Sequence, residues 1–212
     1  MVTDGNAQIL DAAFTELYNQ YEFNKLFEVP DQNYDGSPYL LPEFTPGNII
    51  MKDGMVYHDI PLRLNVYNDI FEFQHENGAW TDTAFHYSSI VIGERSFVLA
   101  PYSYGESVKR GHMEILEEGD FTLLKRYKID FVPPTKAEPY KDPKPATFRN
   151  VRPDYFVLIK GVAVFFSSEK SLSKVCGCNS EELKRYVKEN KISFRKEESL
   201  IKLFDYLNNR QE

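Results

Sequence analysis

The stretch Pro61–His75, PLRLNVYNDIFEFQH, constrains the fold more than any other part of the chain. Large apolar residues alternate with other residues on both sides of the polar pair Asn68-Asp69. A period of two is typical of a β-strand with one buried face, and a polar pair between two such runs is typical of a tight turn. The pattern therefore predicts a half-buried antiparallel hairpin.

The register of this hairpin follows from the length of its turn. A two-residue turn pairs Leu64 with Phe73 on the apolar face and Asn65 with Glu72 on the other face. Arg63 then lies diagonal to Glu72. Turn and pattern agree, because this register places the large apolar side chains on a single face.

Short turn signals recur along the chain and separate runs of strand-forming residues: Asp53-Gly54, Asn77-Gly78, Gly93-Glu94, Glu118-Gly119 and Lys160-Gly161. No segment of crossover-helix length lies between these strands, so neighbouring strands are predicted to be antiparallel. The predicted fold class is mainly β (α+β), an antiparallel β-meander that forms a barrel or a sandwich.

Helical periodicity is confined to the two ends of the chain. Residues 8–27 have apolar residues spaced by three and four, which predicts an amphipathic N-terminal helix. Ser168 as a cap and Gly177 as a stop delimit a second helix. Further helices are predicted to begin at Ser180 and to cover residues 197–209, because each starts with acidic residues that match the helix dipole. These last three form a small C-terminal helical cap.

The predicted organisation has four parts: an N-terminal helix over 1–29, the β-meander over 30–131, a Pro-rich connector over 132–153, and a hairpin with the C-terminal helices over 154–212 that forms one compact unit with the meander. The connector has prolines among lysines, so an extended, polyproline-like linker or wrapping arm is predicted there rather than a strand of the sheet. A ligand for an SH3-type domain is the alternative.

Composition argues against several classes of partner. The formal net charge of −7 leaves no basic excess to offset phosphates, so no nucleic-acid partner is expected. No run of about 18 apolar residues occurs, so no transmembrane segment is predicted. Cys176 and Cys178 lie too close in sequence for ordinary disulfide geometry and supply at most half a metal site, so two free thiols near a helix junction are predicted.

One cluster of ionisable side chains lies on two strands that are predicted to be adjacent: Glu72, His75, Asp82 and His86. Convergent carboxylates and imidazoles are what a metal ion or an acid/base pair requires. Strand parity argues against convergence, because Glu72 and His75 are three residues apart and so face opposite sides. A hydrolase or metal-dependent enzyme at these residues is therefore the alternative to plain surface polar residues.

Tyrosines near the predicted loop ends form a second candidate site, made of Tyr87, Tyr102 and Tyr104. Exposed aromatic rings at such a place bind sugars or peptides, whereas the simpler alternative is rings packed under a loop. The chain has no nucleophile elbow, zinc-protease motif, phosphate loop or dinucleotide fingerprint. A non-catalytic binding or structural module without a cofactor is therefore expected, and an enzyme is left open.

Four segments carry a resemblance to a known family: GNIIMKDGMVYHDIPLRLNVYNDIFEFQ, GERSFVL, GHMEILEEGDFTLLKRYKIDF and LKRYVKENKISFRKEESLIKLFDYLN. Together they resemble a family of exported proteins from Bacteroidetes-type bacteria that has no assigned activity. The shared pattern is a strand, an Asp-Gly turn, a Val/Ile-Pro-Leu-Arg-x-Asn-x-Tyr-Asn-Asp run, a sheet region and a Lys/Glu-rich helical tail, and it covers residues 34–209. No catalytic residue is carried over.

The resemblance implies a shared fold and a periplasmic or envelope location, with the cytoplasm as the alternative. Asn6-Ala7-Gln8 looks like the end of an export signal, but the basic flank and the apolar core of such a signal do not precede it. The expected function is an envelope or periplasmic module that binds an unidentified protein or glycan partner.

Overall fold

Twelve strands and three helices make up the part of the chain that is described in the computed structural model, residues 24–25, 34–75, 78–81, 87–104, 107–136 and 142–209. The strands are β1 (Asn24–Lys25), β2 (Tyr34–Asp35), β3 (Thr45–Met51), β4 (Val56–Asn65), β5 (Ile70–His75), β6 (Gly78–Thr81), β7 (Tyr87–Ile92), β8 (Arg95–Tyr104), β9 (Ser107–Glu117), β10 (Thr122–Val132), β11 (Ala146–Ile159) and β12 (Val162–Phe165). The helices are α1 (Glu169–Cys176), α2 (Ser180–Glu189) and α3 (Glu197–Asn208).

The chain divides into two compact units. The first consists of Met1–Phe97 and Tyr127–Arg152, and the second of Val98–Arg126 and Pro153–Glu212. Strands β8, β10 and β11 each contribute residues to both units.

The mainly β fold class and the small C-terminal helical cap are confirmed. The predicted N-terminal helix over residues 8–27 falls almost entirely outside the described residues. None of the helices in the described ranges is long and apolar enough to span a bilayer.

The first unit is built around the central strand β4. The strand order is β1-β6-β5-β4-β3-β7, and each of these pairs is antiparallel. The alternating residues predicted to be apolar face inwards and form the core together with residues of β3, β7 and β8: Ile49, Met51, Ile60, Leu62, Leu64, Phe71, Phe73, Ile90 and Phe97. The predicted half-buried hairpin is therefore the centre of this core.

The register of that hairpin differs by two residues from the predicted one. Leu64 pairs with Phe71 rather than with Phe73, which leaves a turn of four residues instead of two. The amide oxygen of Asn65 accepts a hydrogen bond of 3.0 Å from the backbone N–H of Asn68, and this bond stabilises the longer turn. Because the shift is an even number, each side chain remains on its predicted face.

The loop before β3 pairs with β4 along the same edge as β3, beyond the point where β3 begins. The backbone N–H of Leu40 donates to Leu64 O at 3.0 Å, and the N–H of Val66 donates to Pro38 O at 2.9 Å. The ladder between β3 and β4 begins at the pair Thr45 and Leu62, so the loop takes over where β3 ends. The loop is thus held against the hairpin by the backbone.

The second unit contains a closed ring of five strands. β8 pairs with both β9 and β12, and the order β12-β11-β10-β9 completes the ring. β9 and β10 pair antiparallel, as do β11 and β12, whereas the closing pair of β12 and β8 is parallel. β2 and β11 also pair in parallel, so the sheet is mixed, and both parallel pairs join strands that are far apart in sequence.

All five strands of the ring contribute to one apolar cluster, which therefore lies inside it: Ala100, Tyr102, Met113, Leu124, Phe156 and Ala163. Residues at alternate positions, such as Leu123 and Val157, face outwards and pack against the helices. The helices bury Leu172, Leu183, Leu200 and Phe204 against that outer face.

The helix ends follow the predicted signals. Ser168 caps α1 with a capping box, and Gly177 ends it with a positive φ of 66°. The predicted start of α2 at Ser180 is confirmed, with Asn179 as its cap. α3 is held to the ring at its first turn, where Lys125 Nζ donates to Glu197 Oε2 at 2.5 Å. Cys176 and Cys178 are free thiols beside the end of α1, as predicted.

The Pro-rich connector is shorter than predicted. β11 begins at Ala146, so the prediction that 132–153 holds no strand is wrong for its last part. Pro153 lies within β11 but outside Phe156–Ile159, the stretch that pairs with β12. The remaining connector, residues 133–145, is exposed wherever its residues are described.

Candidate functional site

Four aromatic rings from distant parts of the sequence contact one another in the first unit, and we call them the aromatic cluster: Tyr34, Tyr67, Phe131 and Phe148. Phe148 is central, because its ring centroid lies 5.1 Å from that of Tyr34, 5.3 Å from that of Tyr67 and 5.0 Å from that of Phe131. These distances are typical of attractive aromatic pairs.

The aromatic cluster is open to water. Tyr34 and Phe131 are each 37% exposed, and Tyr67 is 48% exposed. Phe148 is half-buried beneath them. Burial of apolar rings away from water lowers the free energy, so a contiguous exposed group of them is a candidate binding surface.

Backbone geometry brings Tyr34 to Phe148. β2 pairs with the start of β11, where Tyr34 lies opposite Ala146. Gly36 follows with a φ of 77°, and a Cβ atom there would lie 2.1 Å from the carbonyl oxygen of Phe148. Glycine is therefore required both by the backbone conformation and by the close approach of the two segments.

The other rings reach the aromatic cluster from the ends of strands. Tyr67 lies in the turn after β4, at the same parity as Arg63 and Asn65, so its ring faces away from the apolar core. Phe131 is next to last in β10 and Phe148 is third in β11, and these two strands are neighbours. The positions where strands leave the core thus present the rings to solvent.

Charged residues adjoin three of the rings in sequence, and successive residues of a strand point to opposite faces of the sheet. Arg149 and Asp130 each adjoin a ring of the aromatic cluster in sequence, and their Nη2 and Oδ2 atoms lie 3.8 Å apart with both side chains exposed. Asp35, beside Tyr34, is exposed as well. The ion pair of Asp130 and Arg149 therefore lies on the opposite face of β10 and β11 from Phe131 and Phe148. An exposed ion pair of this kind contributes little to stability.

The tyrosines predicted as a binding surface lie elsewhere. Tyr87 is 3% exposed and Tyr102 is 6% exposed, so the premise that their rings are exposed is wrong. Tyr104 ends β8, and its side chain lies outside the described part of the structure. Burial of the first two rings removes the exposed surface on which the predicted binding role depended.

Their burial has a structural reason in each case. Tyr87 begins β7 and packs edge-on against Phe71 in the core of the first unit, with centroids 6.4 Å apart. β8 continues past the position where a loop was predicted, so Tyr102 lies inside the ring of the second unit. There it contacts Phe156 at 5.6 Å, and the guanidinium of Arg126 lies 5.1 Å from its centroid.

Glu72, the best defined member of the predicted ionisable cluster, is held in a different network. Its carboxylate accepts hydrogen bonds of 2.9 Å from Arg63 Nε and from Asn65 Nδ2. Arg63 lies directly opposite Glu72, not diagonal to it, as a result of the shifted register. Both oxygens of this buried carboxylate thus have partners within the hairpin.

Arg63 also fixes the preceding loop. Its guanidinium donates to Pro42 O at 3.0 Å and to the Tyr39 hydroxyl at 2.8 Å, and it lies between the rings of Tyr39 and Phe44, 3.7 and 4.2 Å from their centroids. Burial, followed by the charge of Glu72, raises the pKa of Tyr39, so the phenol stays protonated. The network is a structural clamp.

The rest of the predicted metal site is not assembled by the described residues. The side chain of His75 and the whole of Asp82 and His86 lie outside them. Among the residues that are described, no three His, Cys, Asp or Glu side chains are arranged to hold a metal ion.

A pocket in the first unit is too small to carry a functional assignment. Leu40, Leu62 and Phe97 are among the residues that line it, and its volume is about 260 Å³ with open solvent included. Small-molecule sites usually enclose about 300 Å³ or more.

Sequence reasoning missed the aromatic cluster because its members share no periodicity. The one available signal was Tyr67, a large ring on the face of the hairpin that otherwise holds Arg63 and Asn65. Comparisons with known proteins add no assignment, since no family model, no curated protein and no solved structure matches the chain.

Proposed function

We propose that the protein is a non-catalytic binding module that holds an extended protein or glycan partner on the aromatic cluster. The observation that carries the proposal is the exposure of Tyr34, Tyr67 and Phe131 in a contiguous group. Such rings supply large contact area at a low cost in side-chain entropy, and tyrosine is enriched among residues that dominate binding energy.

The polar groups of the first unit support binding rather than catalysis. Glu72 and Arg63 satisfy each other, and Arg63 also clamps the loop through Tyr39. Catalytic acids and bases need a lone pair or a proton that faces the substrate.

We also propose that the module acts outside the cytoplasm, in the periplasm or at the envelope. The support for this location is the resemblance of residues 34–209 to exported proteins of Bacteroidetes-type bacteria. Fusion of a reporter that is active only after export, expressed from the complete coding region, tests the location. A reporter that remains inactive in such a fusion contradicts it.

The binding role is tested by titrating the protein with cell-wall fragments, soluble glycans and extended peptides, followed by calorimetry. We expect at least one probe to bind, and Tyr67→Ser to weaken that binding about tenfold or more, because a central aromatic contact carries a large share of binding energy. The variant should fold normally, since the ring is 48% exposed.

Val108→Ser is the matched control, because Val108 is an exposed apolar residue of the second unit, at 71% exposure. It should bind the same probe as tightly as the unmodified protein. Equal binding by Tyr67→Ser and by the unmodified protein would contradict the proposed function.

A further inference from the structure

We propose that Cys176 and Cys178 form a reversible redox pair, which closes into a disulfide across Gly177 by exchange with an external disulfide. The pair lies in the second unit, whereas the aromatic cluster lies in the first. The inference therefore goes beyond the proposed binding role and does not depend on it. These are the only two cysteines in the chain, so neither has another thiol of the same molecule with which to pair.

The conformation of Gly177 brings the two cysteines within disulfide range. In an extended chain, residues two positions apart are separated by about 6.8 Å and have parallel side chains, which is at the limit for a disulfide. Gly177 instead ends α1 in the left-handed conformation, with φ 66° and ψ 18°. Helical curvature of either hand places such Cα atoms about 5.4 Å apart, close to the commonest separation in disulfides. The short spacing in sequence thus argues against a disulfide only for an extended chain.

The two thiol groups already contact each other. A hydrogen bond joins the side chains of Cys176 and Cys178, and both side chains pack partly against the apolar cluster beneath the helices. A thiol is a weak donor and its sulfur is a weak acceptor, so this bond positions the two sulfur atoms without strongly opposing their reaction. Both cysteines are also partly exposed. The pair is therefore assembled and open to solvent.

Capped helices hold the backbone on both sides of the pair. Cys176 is the last residue of α1, and Asn179 directly follows Cys178 as the cap of α2. The side chain of Asn179 accepts hydrogen bonds of 3.0 and 3.3 Å from the N–H groups of Glu181 and Glu182. Ordered flanks reduce the conformational entropy that closure of the ring removes. The folded chain should therefore close the pair more readily than the unfolded chain does.

The environment of Cys176 determines the order of the exchange. Burial, with a smaller contribution from Cys178, raises the pKa of the Cys176 thiol to about 12. The negative end of the α1 dipole also opposes ionisation at this position. Because only a thiolate attacks a disulfide, the first attack falls to Cys178, which lies beyond the end of the helix.

The exchange then takes two steps. The Cys178 thiolate attacks one sulfur of the external disulfide, which forms a mixed disulfide and releases the other sulfur as a thiolate. The Cys176 thiolate next attacks the Cys178 sulfur, forms the internal disulfide and releases the second external thiolate. The protons of the two cysteines pass to the two released thiolates. The cysteine pair is thus oxidised by two electrons, and the external disulfide is reduced to two thiols.

The test equilibrates the full, folded protein with glutathione and glutathione disulfide at neutral pH. A chelator is present, because trace metal and oxygen would otherwise supply a different oxidant. Mass spectrometry after acid quenching should show that the chain has lost two hydrogen atoms, and the tryptic peptide of residues 175–184, which contains both cysteines, should carry that loss. A protein that keeps both thiols, holds only glutathione adducts or forms disulfide-linked dimers overturns the inference.

Two single variants test the order of attack, and thermal unfolding checks that each of them folds. Cys176→Ser should stop at the mixed disulfide and carry one glutathione, because the thiol that resolves it is absent. Cys178→Ser should gain glutathione at least about tenfold more slowly, because the remaining thiol is the one with the raised pKa. Equal rates for the two variants overturn the assigned order.

The unfolded chain is the control for the contribution of the fold. In urea, at a fixed concentration of glutathione, closure of half of the pairs should require about tenfold more glutathione disulfide, or a larger excess, than in the folded protein. Equal closure in both states overturns the inference that the turn at Gly177 assembles the pair. Binding at the aromatic cluster is measured separately, so failure of either result leaves the other standing.

Discussion

Arg63 connects three segments of the first unit with one side chain. It pairs with Glu72 across the hairpin, donates to Pro42 O, and stacks between the rings of Tyr39 and Phe44. A planar guanidinium can do all of this at once, because its donors point in fixed directions while its faces remain free for the rings. A lysine side chain has neither a planar face nor several donors in fixed directions.

Arg63→Lys should therefore lower the free energy of unfolding by about 1–3 kcal/mol, since it leaves part of a charged hydrogen-bond network unsatisfied. Urea denaturation measures the change. Arg149→Lys is the control, because its ion pair with Asp130 is exposed and should contribute almost nothing. Equal stability of the two variants would show that the clamp is not needed.

Alternation predicted that Arg63, Asn65 and Glu72 share a face, and the structure confirms it. It did not predict Tyr39 and Pro42 as their partners. The loop that contains these partners lies 21 and 24 positions before Arg63 and has no regular pattern. The face on which a residue lies could thus be predicted within the hairpin, whereas contacts with the loop could not.

Cys176 carries a prediction about pH. Burial, with a smaller contribution from Cys178, raises the pKa of its thiol from 9.0 to about 12. The folded protein therefore keeps the neutral thiol at pH values where the unfolded chain ionises. Unfolding then releases a proton, so stability is lost as pH rises from about 9 towards 12.

Between pH 8 and pH 10.5, the thermal midpoint should consequently fall further for the unmodified protein than for Cys176→Ala, which lacks the ionising group. Alkylation gives a second measurement, because only the thiolate reacts. At pH 8 we expect Cys176 to react about a hundredfold more slowly, or slower still, in the folded protein than in urea. Equal rates in both states would contradict the assignment.

At the scale of elements, the turn signals in the sequence located the strands but did not determine the lengths of the turns. Asn68-Asp69 lies in the turn of the hairpin as predicted, but the turn has four residues. The hydrogen bond from the backbone N–H of Asn68 to the side chain of Asn65 stabilises this longer turn. The alternation of apolar residues carries no information about that bond. An error of two residues leaves the faces unchanged, which is why the core was predictable and the partner of Glu72 was not.

Gly36 determines where β2 lies, so its replacement tests how the aromatic cluster is assembled. Gly36→Ala should push β2 away from β11, because the added methyl group would meet the carbonyl oxygen of Phe148 at 2.1 Å. Tyr34 then loses its contact with the Phe148 ring. Hydrogen exchange at residues 34–36 should become faster, and binding that depends on Tyr67 should weaken.

Gly54→Ala separates the clash from the strain of the backbone. Gly54 also has a positive φ, of 90°, but an added Cβ there meets nothing within 4 Å. In both variants the strained backbone conformation lowers stability by about 1 kcal/mol, and only Gly36→Ala has the clash in addition. If both variants affect exchange at residues 34–36 equally, the close approach at Gly36 does not position Tyr34.

At the scale of the whole molecule, composition and turn spacing predicted a mainly β chain with a helical cap, and the structure confirms it. They did not predict that β12 closes on β8. That pair joins residues about 60 positions apart, Ala163 and Tyr102, and it is parallel. Hairpin signals report only on neighbours in sequence, so a contact that completes a ring leaves no local trace.

A closed ring of strands should tolerate a larger side chain on β12 less well than an open sheet would. Ala163 is fully buried on β12 inside the ring, whereas its neighbour Val162 is 38% exposed. An edge strand can move outwards to admit a larger side chain, but a strand paired on both sides cannot. Ala163→Leu should therefore cost about 1–3 kcal/mol in urea denaturation through overpacking, and Val162→Leu should cost less than about 0.5 kcal/mol. Equal tolerance of both changes would mean that β12 moves as a free edge does, and that its pairing with β8 does not close the second unit.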